Sequence, residues 1–133
     1  MEEAIKSSPR KILIVDDNSD NRELVVKVLK SRGYEMVEAV DGEDAIQKAH
    51  DERPSLILLD ISLPIMDGYE VTRRLKSHEE SKDIPIVALT THVMKGDKER
   101  AIEAGCVGYI PKPIDVHELP EQIKHYLKDQ PEG

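Results

Sequence analysis

Two short apolar runs end in aspartate: Ile12-Leu13-Ile14-Val15 runs into Asp16 and Asp17, and Leu56-Ile57-Leu58-Leu59 into Asp60. Uninterrupted runs of this length read as strands buried on both faces, the habit of parallel sheets. Ligands of an open parallel sheet bind in the crevice beyond the carboxyl ends of its strands. If these two strands are neighbours, three carboxylates converge there. Like charges so close raise one another's pKa unless a positive charge compensates. A hard divalent cation with oxygen ligands is the natural compensation, and Mg²⁺ fits best.

The rest of the chain supplies the alternation that a parallel sheet needs. A strand at about 11–16 precedes a helix at 19–32, with Leu24, Val25, Val28 and Leu29 on one face and Gly33 as its stop. Asp20 with Glu23 forms a capping box, with Ser19 as an equal candidate for the cap. A second strand at 34–40 closes on Asp41-Gly42, and a helix at 43–51 turns Ala45, Ile46 and Ala49 inward before Pro54. The third strand, 55–60, leads through Ser62–Gly68 to a helix at 68–77. The fourth, 84–90, has an early proline tolerable at a strand start. A helix at 95–104 stops at Gly105, a short strand follows at 107–110, and a last helix spans 115–128 with Leu119, Ile123, Tyr126 and Leu127 as its stripe. Pro120 falls too deep in that helix if Asp115 and Glu118 cap it, so either the first turn is distorted, the favoured reading, or the regular helix starts nearer Leu119.

Strict strand–helix alternation implies a doubly wound α/β fold with right-handed crossovers and helices on both faces. Five strands fit the flavodoxin-like order 2-1-3-4-5, which sets strands 1 and 3 side by side. At 133 residues there is room for one domain. Residues 10–128 would form it, with a loose arm at 1–9 and a short tail at 129–133.

Composition narrows the functions. A net charge of -8 argues against direct nucleic-acid binding, which needs a basic face. The one cysteine, Cys106, excludes an internal disulfide and reads as a small core residue. The five histidines read as scattered surface residues rather than a metal site. No apolar stretch is long enough to insert in a membrane, and the acidic start lacks a signal-peptide pattern, which points to the cytoplasm.

Thr90 ends the fourth strand and Lys112 follows the fifth on the same edge. Carboxylates, a hydroxyl and a lysine along one crevice suit phosphoryl transfer, with a carboxylate as nucleophile and positive groups neutralising the transferred charge. Together, Ile-Leu-Ile-Val-Asp16-Asp17-Asn18, Leu-Ile-Leu-Leu-Asp60-Ile-Ser-Leu-Pro-Ile-Met-Asp67-Gly68, Ala-Leu-Thr90 and Gly-Tyr109-Ile-Pro-Lys112-Pro113 resemble the receiver domain of two-component response regulators, over about residues 10 to 128.

The resemblance implies that Asp60 accepts the phosphoryl group from a phosphohistidine. It makes Asp17 a direct Mg²⁺ ligand, Asp16 an acid holding the metal through water, and Ser62 a ligand through its backbone carbonyl. Thr90 becomes the switch hydroxyl, Tyr109 the aromatic that swings inward, and Lys112 the partner of an acceptor or phosphoryl oxygen, with its bond to Pro113 typically cis. Asp67-Gly68 reads as a turn and helix cap. Met94-Lys95-Gly96-Asp97, Gly105-Cys106 and Tyr109-Ile110 resemble single-domain regulators of the bacterial cell-cycle type and receivers attached to hybrid histidine kinases. Thr91, where a small alanine is commoner, and His92 depart from the usual pattern and bear on the lifetime of the phosphoryl group.

The implied partners are a sensor histidine kinase or histidine phosphotransfer protein, met by the first helix and the loop after strand 5. An output protein of unknown identity would meet the face of helix 4, strand 5 and helix 5. Few residues follow the last helix, so output is expected through protein contact, by a monomer or weak dimer. Two rivals remain open. A haloacid-dehalogenase-type phosphatase also forms an aspartyl phosphate, but with an Asp-x-Asp motif after strand 1, where this chain has Asp16-Asp17-Asn18. A pseudo-receiver would keep the fold as a binding module that is never phosphorylated.

Overall fold

The computed structural model describes residues 10–91 and 97–128. The expected arm at 1–9, His92, the Met94-Lys95-Gly96 motif with the start of the fourth helix, and the tail at 129–133 lie outside the described residues. Within them, strands and helices alternate throughout: β1 (Lys11–Val15), α1 (Ser19–Lys30), β2 (Glu35–Ala39), α2 (Gly42–Glu52), β3 (Leu56–Asp60), α3 (Gly68–Lys76), β4 (Ile86–Thr90), α4 (Asp97–Ala104), β5 (Gly108–Pro111) and α5 (Leu119–Lys128). All strand pairs are parallel, in the order β2-β1-β3-β4-β5. Val15 lies opposite Leu59, so β3 runs one residue past β1 and brings Asp60 level with Asp16.

The period of two along each strand explains why the apolar runs are continuous. Leu13, Val15, Ile57 and Leu59 pack on one face against Ala45 and Ala49 of α2, Val71 and Leu75 of α3, and Ala101 of α4. Ile12, Ile14, Leu56 and Leu58 pack on the other against Val25 and Leu29 of α1 and Ile123 and Leu127 of α5. Both faces are covered, so neither can be polar. The apolar residues of β1, β3 and β4 are inaccessible to solvent, and the acids stand at the carboxyl edge of the sheet.

Several local expectations change. Asn18 caps α1, its side chain accepting from the Asn21 amide at 3.0 Å, in place of Ser19 or the Asp20–Glu23 box. Three adjacent residues were cap-competent, and the extended backbone at Asn18 decides among them. Leu24 is 40% exposed; Val25 and Leu29 carry the buried face of α1. The regular part of α5 starts at Leu119, not 115. Residues 116–118 form a turn in which the Asp115 carboxylate accepts from the His117 and Glu118 amides, so Pro120 falls in the first helical turn, where its missing N–H is tolerated. Two histidines are not scattered: the rings of His50 and His78 lie 5.2 Å apart between α2 and the segment after α3. Gly33 and Gly105, the two expected stops, take φ of 94° and 121°.

One helix start is locked to the end of β3. Asp67 caps α3 by accepting from the Glu70 amide at 3.0 Å, and the Gly68 amide donates to the Ile61 carbonyl at 2.9 Å. A Cβ on Gly68 would lie 2.7 Å from Ile61 Cα and 2.8 Å from the Asp60 carbonyl oxygen, and backbone atoms cannot swing aside. Gly68→Ala should therefore cost about 1–3 kcal/mol, read as a lower urea midpoint with an unchanged slope. An unaltered midpoint would contradict this close approach.

Candidate functional site

The carboxyl edge gathers the charged groups. Asp16 and Asp17 follow β1, Asp60 is the last residue of the neighbouring β3, and the three carboxylates offer oxygen atoms within 4.8 Å of one another. Asp16 and Asp60 are almost wholly buried, at 1% and 3% exposure, whereas Asp17 faces solvent. Lys112 reaches in from beyond β5, its Nζ 3.2 Å from Asp60 Oδ2 and 3.4 Å from Asp16 Oδ2. The Lys112–Pro113 bond is cis.

The two buried acids are also held by backbone amides two residues further on. Asp60 Oδ1 accepts from the Ser62 amide at 2.9 Å, and Asp16 Oδ1 from the Asn18 amide at 2.9 Å. One oxygen of each carboxylate is thus fixed, and the other meets the lysine. Burial pushes the pKa of Asp60 above the ordinary carboxylate range, and the charge of Asp16 adds to that rise. The Ser62 amide and Lys112 pull the other way without cancelling it. Three carboxylates against one ammonium leave the cluster formally short of positive charge. An all-oxygen donor set of this kind suits Mg²⁺ or another hard divalent cation.

The remaining expected residues fall on or near the same edge. Thr90 is the last residue of β4, buried, and its carbonyl accepts from the Lys112 amide at 2.8 Å, tying β4 to the lysine loop. Ser62 is exposed and contributes its amide to Asp60. Tyr109 lies further back, opposite Ala88, half-buried against the core, with Lys98 Nζ 5.4 Å from its ring centre. Asp67 serves as a cap, and Cys106 is a buried thiol 3.7 Å from the Thr72 hydroxyl, its pKa raised mainly by burial.

Two features of the edge escaped the sequence reading. Ile65, in the loop after β3, is fully exposed with a left-handed φ of 67°, a strained setting for a β-branched residue. Arg22 in α1 bonds to the Asp16 carbonyl at 2.8 Å and to Glu38 at 3.1 Å. Its signal was faint: an arginine in the first turns of a helix, where a solvated cation is the default.

A doubly wound sheet with paired acids after β1, an acid ending β3 and a lysine after β5 defines a receiver-type signalling domain. Residues 12–124 match the model of the response regulator receiver domain, and the chain belongs to that family. Members of the family are generally signalling switches. The chain is 44% identical over 121 residues to the polar-differentiation response regulator DivK of Brucella anthropi, covering 91% of this chain and 98% of that one. Among solved structures, it resembles the receiver domain of sensor histidine kinase PA1611 from Pseudomonas aeruginosa, which has a magnesium ion coordinated in its active-site cleft. That likeness has a TM-score of 0.83 and 34% identity, covering 91% of this chain and 99% of the other. The chemotaxis response regulator CheY4 of Vibrio cholerae is similar at a TM-score of 0.83 and 31% identity, with 88% of this chain and 98% of that one covered.

The raised pKa of Asp60 has a signed consequence for stability. A carboxyl whose pKa is higher folded than unfolded favours the fold when protonated, and that contribution is lost as pH rises through the folded pKa. Asp60→Asn should therefore be more stable than the wild type at neutral pH without divalent cations. Its advantage should shrink as pH falls toward the ordinary carboxylate value of 3.8. Urea midpoints across that range measure it, and an advantage that grows in acid would contradict the assignment.

Proposed function

We propose that this chain is a phosphorylation switch in which Asp60 takes a phosphoryl group from a phosphohistidine on a sensor histidine kinase or a histidine phosphotransfer protein. The observation that carries this reading is the pairing of one buried carboxylate, Asp60, with Lys112 beside the Asp16–Asp17 acids. Asp60 Oδ2, released by Lys112, attacks phosphorus, the P–N bond breaks, and its electron pair returns to the imidazole nitrogen. The Ser62 amide, donating to Oδ1, orients the carboxylate so that Oδ2 faces the crevice with the lysine. Lys112, freed from one carboxylate oxygen, pairs with the incoming phosphoryl oxygens.

Asp17, with Asp16, Asp60 and the Ser62 backbone carbonyl, would hold Mg²⁺. The donor chemistry fits, being hard, anionic and oxygen-only. When bound, the cation supplies charge neutralisation for the transferring group. The same residues would assist hydrolysis of the acyl phosphate, so the chain resets itself rather than turning over a substrate.

Thr90 would carry the state change by hydrogen-bonding the phosphoryl group, with Tyr109 moving inward behind it. Only contacts made differently in the two states can shift such an equilibrium. In this reading residues 10–128 form the switch, with the arm at 1–9 and tail at 129–133 outside it, and the protein acts in the cytoplasm as a monomer or weak dimer. The phosphodonor approaches α1 and the loop after β5, and an output protein reads the α4–β5–α5 face, where Ile102 and Val107 are exposed.

Intact mass after incubation with a phosphorylated histidine phosphotransfer protein, and separately with acetyl phosphate, tests the reading. One Mg²⁺-dependent adduct of about 80 Da is expected, absent in Asp60→Asn. Catalytic turnover of small phosphate esters would favour the phosphatase alternative. A chain that binds no Mg²⁺ and gains no adduct from either donor would be a pseudo-receiver.

A further inference from the structure

Asp16 lies one residue beyond the last paired position of β1, Val15, on both its β2 and β3 sides. Its amide still donates to the Ala39 carbonyl at 3.2 Å, but its own carbonyl lies past the paired positions of the ladder. A buried carbonyl there needs a donor. Arg22 provides one, with Nη1 at 2.8 Å, while its Nε donates to Glu38 Oε1 at 3.1 Å on β2. The arginine side chain is only 15% exposed. It is therefore clamped between a strand and the turn that carries two of the acids.

The carbonyl that Arg22 holds belongs to the peptide joining Asp16 to Asp17. With the Asp16 amide on Ala39 and the Asn18 amide on Asp16 Oδ1, the turn is tied at three successive points. Asp17 is itself exposed, so the direction of its carboxylate is inherited from that backbone. We propose that Arg22 is a positioning residue for the metal site: its fork, braced on Glu38, fixes the Asp16–Asp17 peptide and so aims the Asp17 ligand. This rests on the reading of the acid cluster as a Mg²⁺ site.

Charge and geometry predict opposite signs, which makes the proposal decidable. A nearby cation opposes binding of another, so removing Arg22 for its charge alone would tighten every divalent cation. Losing the clamp weakens binding instead, and weakens Mg²⁺ more, because Mg²⁺ demands near-octahedral geometry whereas Ca²⁺ accepts irregular ligands. Planarity matters too, since a lysine keeps the charge but cannot donate to both acceptors as a fixed fork.

Calorimetric titration of the full chain with MgCl₂ and with CaCl₂ tests this, for the wild type, Arg22→Gln, Arg22→Lys and Glu38→Gln. Arg22→Gln should lose about tenfold in Mg²⁺ affinity, the scale of a lost supporting contact at a metal site. Its Ca²⁺ affinity should fall less, lowering the Mg²⁺/Ca²⁺ ratio. Arg22→Lys should shift the ratio in the same direction, which keeps the test alive if the glutamine variant folds poorly. Glu38→Gln, which keeps an acceptor for Nε but removes the charge that strengthens the brace, should shift the ratio in the same direction by less. Unchanged or tighter Mg²⁺ binding in both arginine variants, or equal losses for the two cations, would overturn the positioning role. A wild type that binds no Mg²⁺ would overturn the metal-site reading itself.

Discussion

Asp16 and Asp60 are forced together because β1 and β3 are neighbours whose register brings the two acids level, each delivering a buried carboxylate to one edge of a sheet covered on both faces. The surrounding contacts answer that repulsion. One oxygen of each acid takes a backbone amide, Lys112 spans the other two, and the pKa of Asp60 still stands above the ordinary range. A sheet built for stability alone would place apolar groups there, since buried ion pairs rarely outperform them. The retained imbalance leaves an edge that added positive charge would stabilise.

The rest of the fold keeps that edge rigid. Gly68 allows α3 to start directly against the Asp60 carbonyl, the Thr90 carbonyl holds the Lys112 amide, and Arg22 ties the β1 turn to β2. These contacts draw β1, β2, β3 and β4 into fixing the acids relative to the lysine, which itself follows β5 directly. Sites mounted on strand ends in this way tolerate little misplacement. Tyr109 and the α4–β5 surface lie beyond this frame, connected to it through β4 and β5.

The strand order was legible because five strands alternate strictly with helices, and the acid positions because the residue after each continuous apolar run emerges at an edge. Boundaries and caps were less so. Asn18, Ser19 and Asp20 can all cap a helix, and only the backbone angle at Asn18 separates them. Leu24 and Val25 are both apolar, yet adjacency on a helix puts one of them outside. The meeting of His50 with His78, and of Arg22 with the Asp16 carbonyl, depends on tertiary placement that no local pattern encodes. The roles of Thr90 and Tyr109 were read by resemblance, because a strand-end threonine and a half-buried tyrosine look ordinary in themselves.

If unbalanced negative charge is what the carboxyl edge is built around, a divalent cation must stabilise the folded chain by binding it there. Urea unfolding at neutral pH across a series of MgCl₂ concentrations, at constant ionic strength, measures this directly. The wild type should gain about 2.7 kcal/mol when Mg²⁺ reaches a hundred times its dissociation constant, and Asp17→Asn should gain far less. A wild-type midpoint that does not move with Mg²⁺, or that moves equally in Asp17→Asn, would contradict the account.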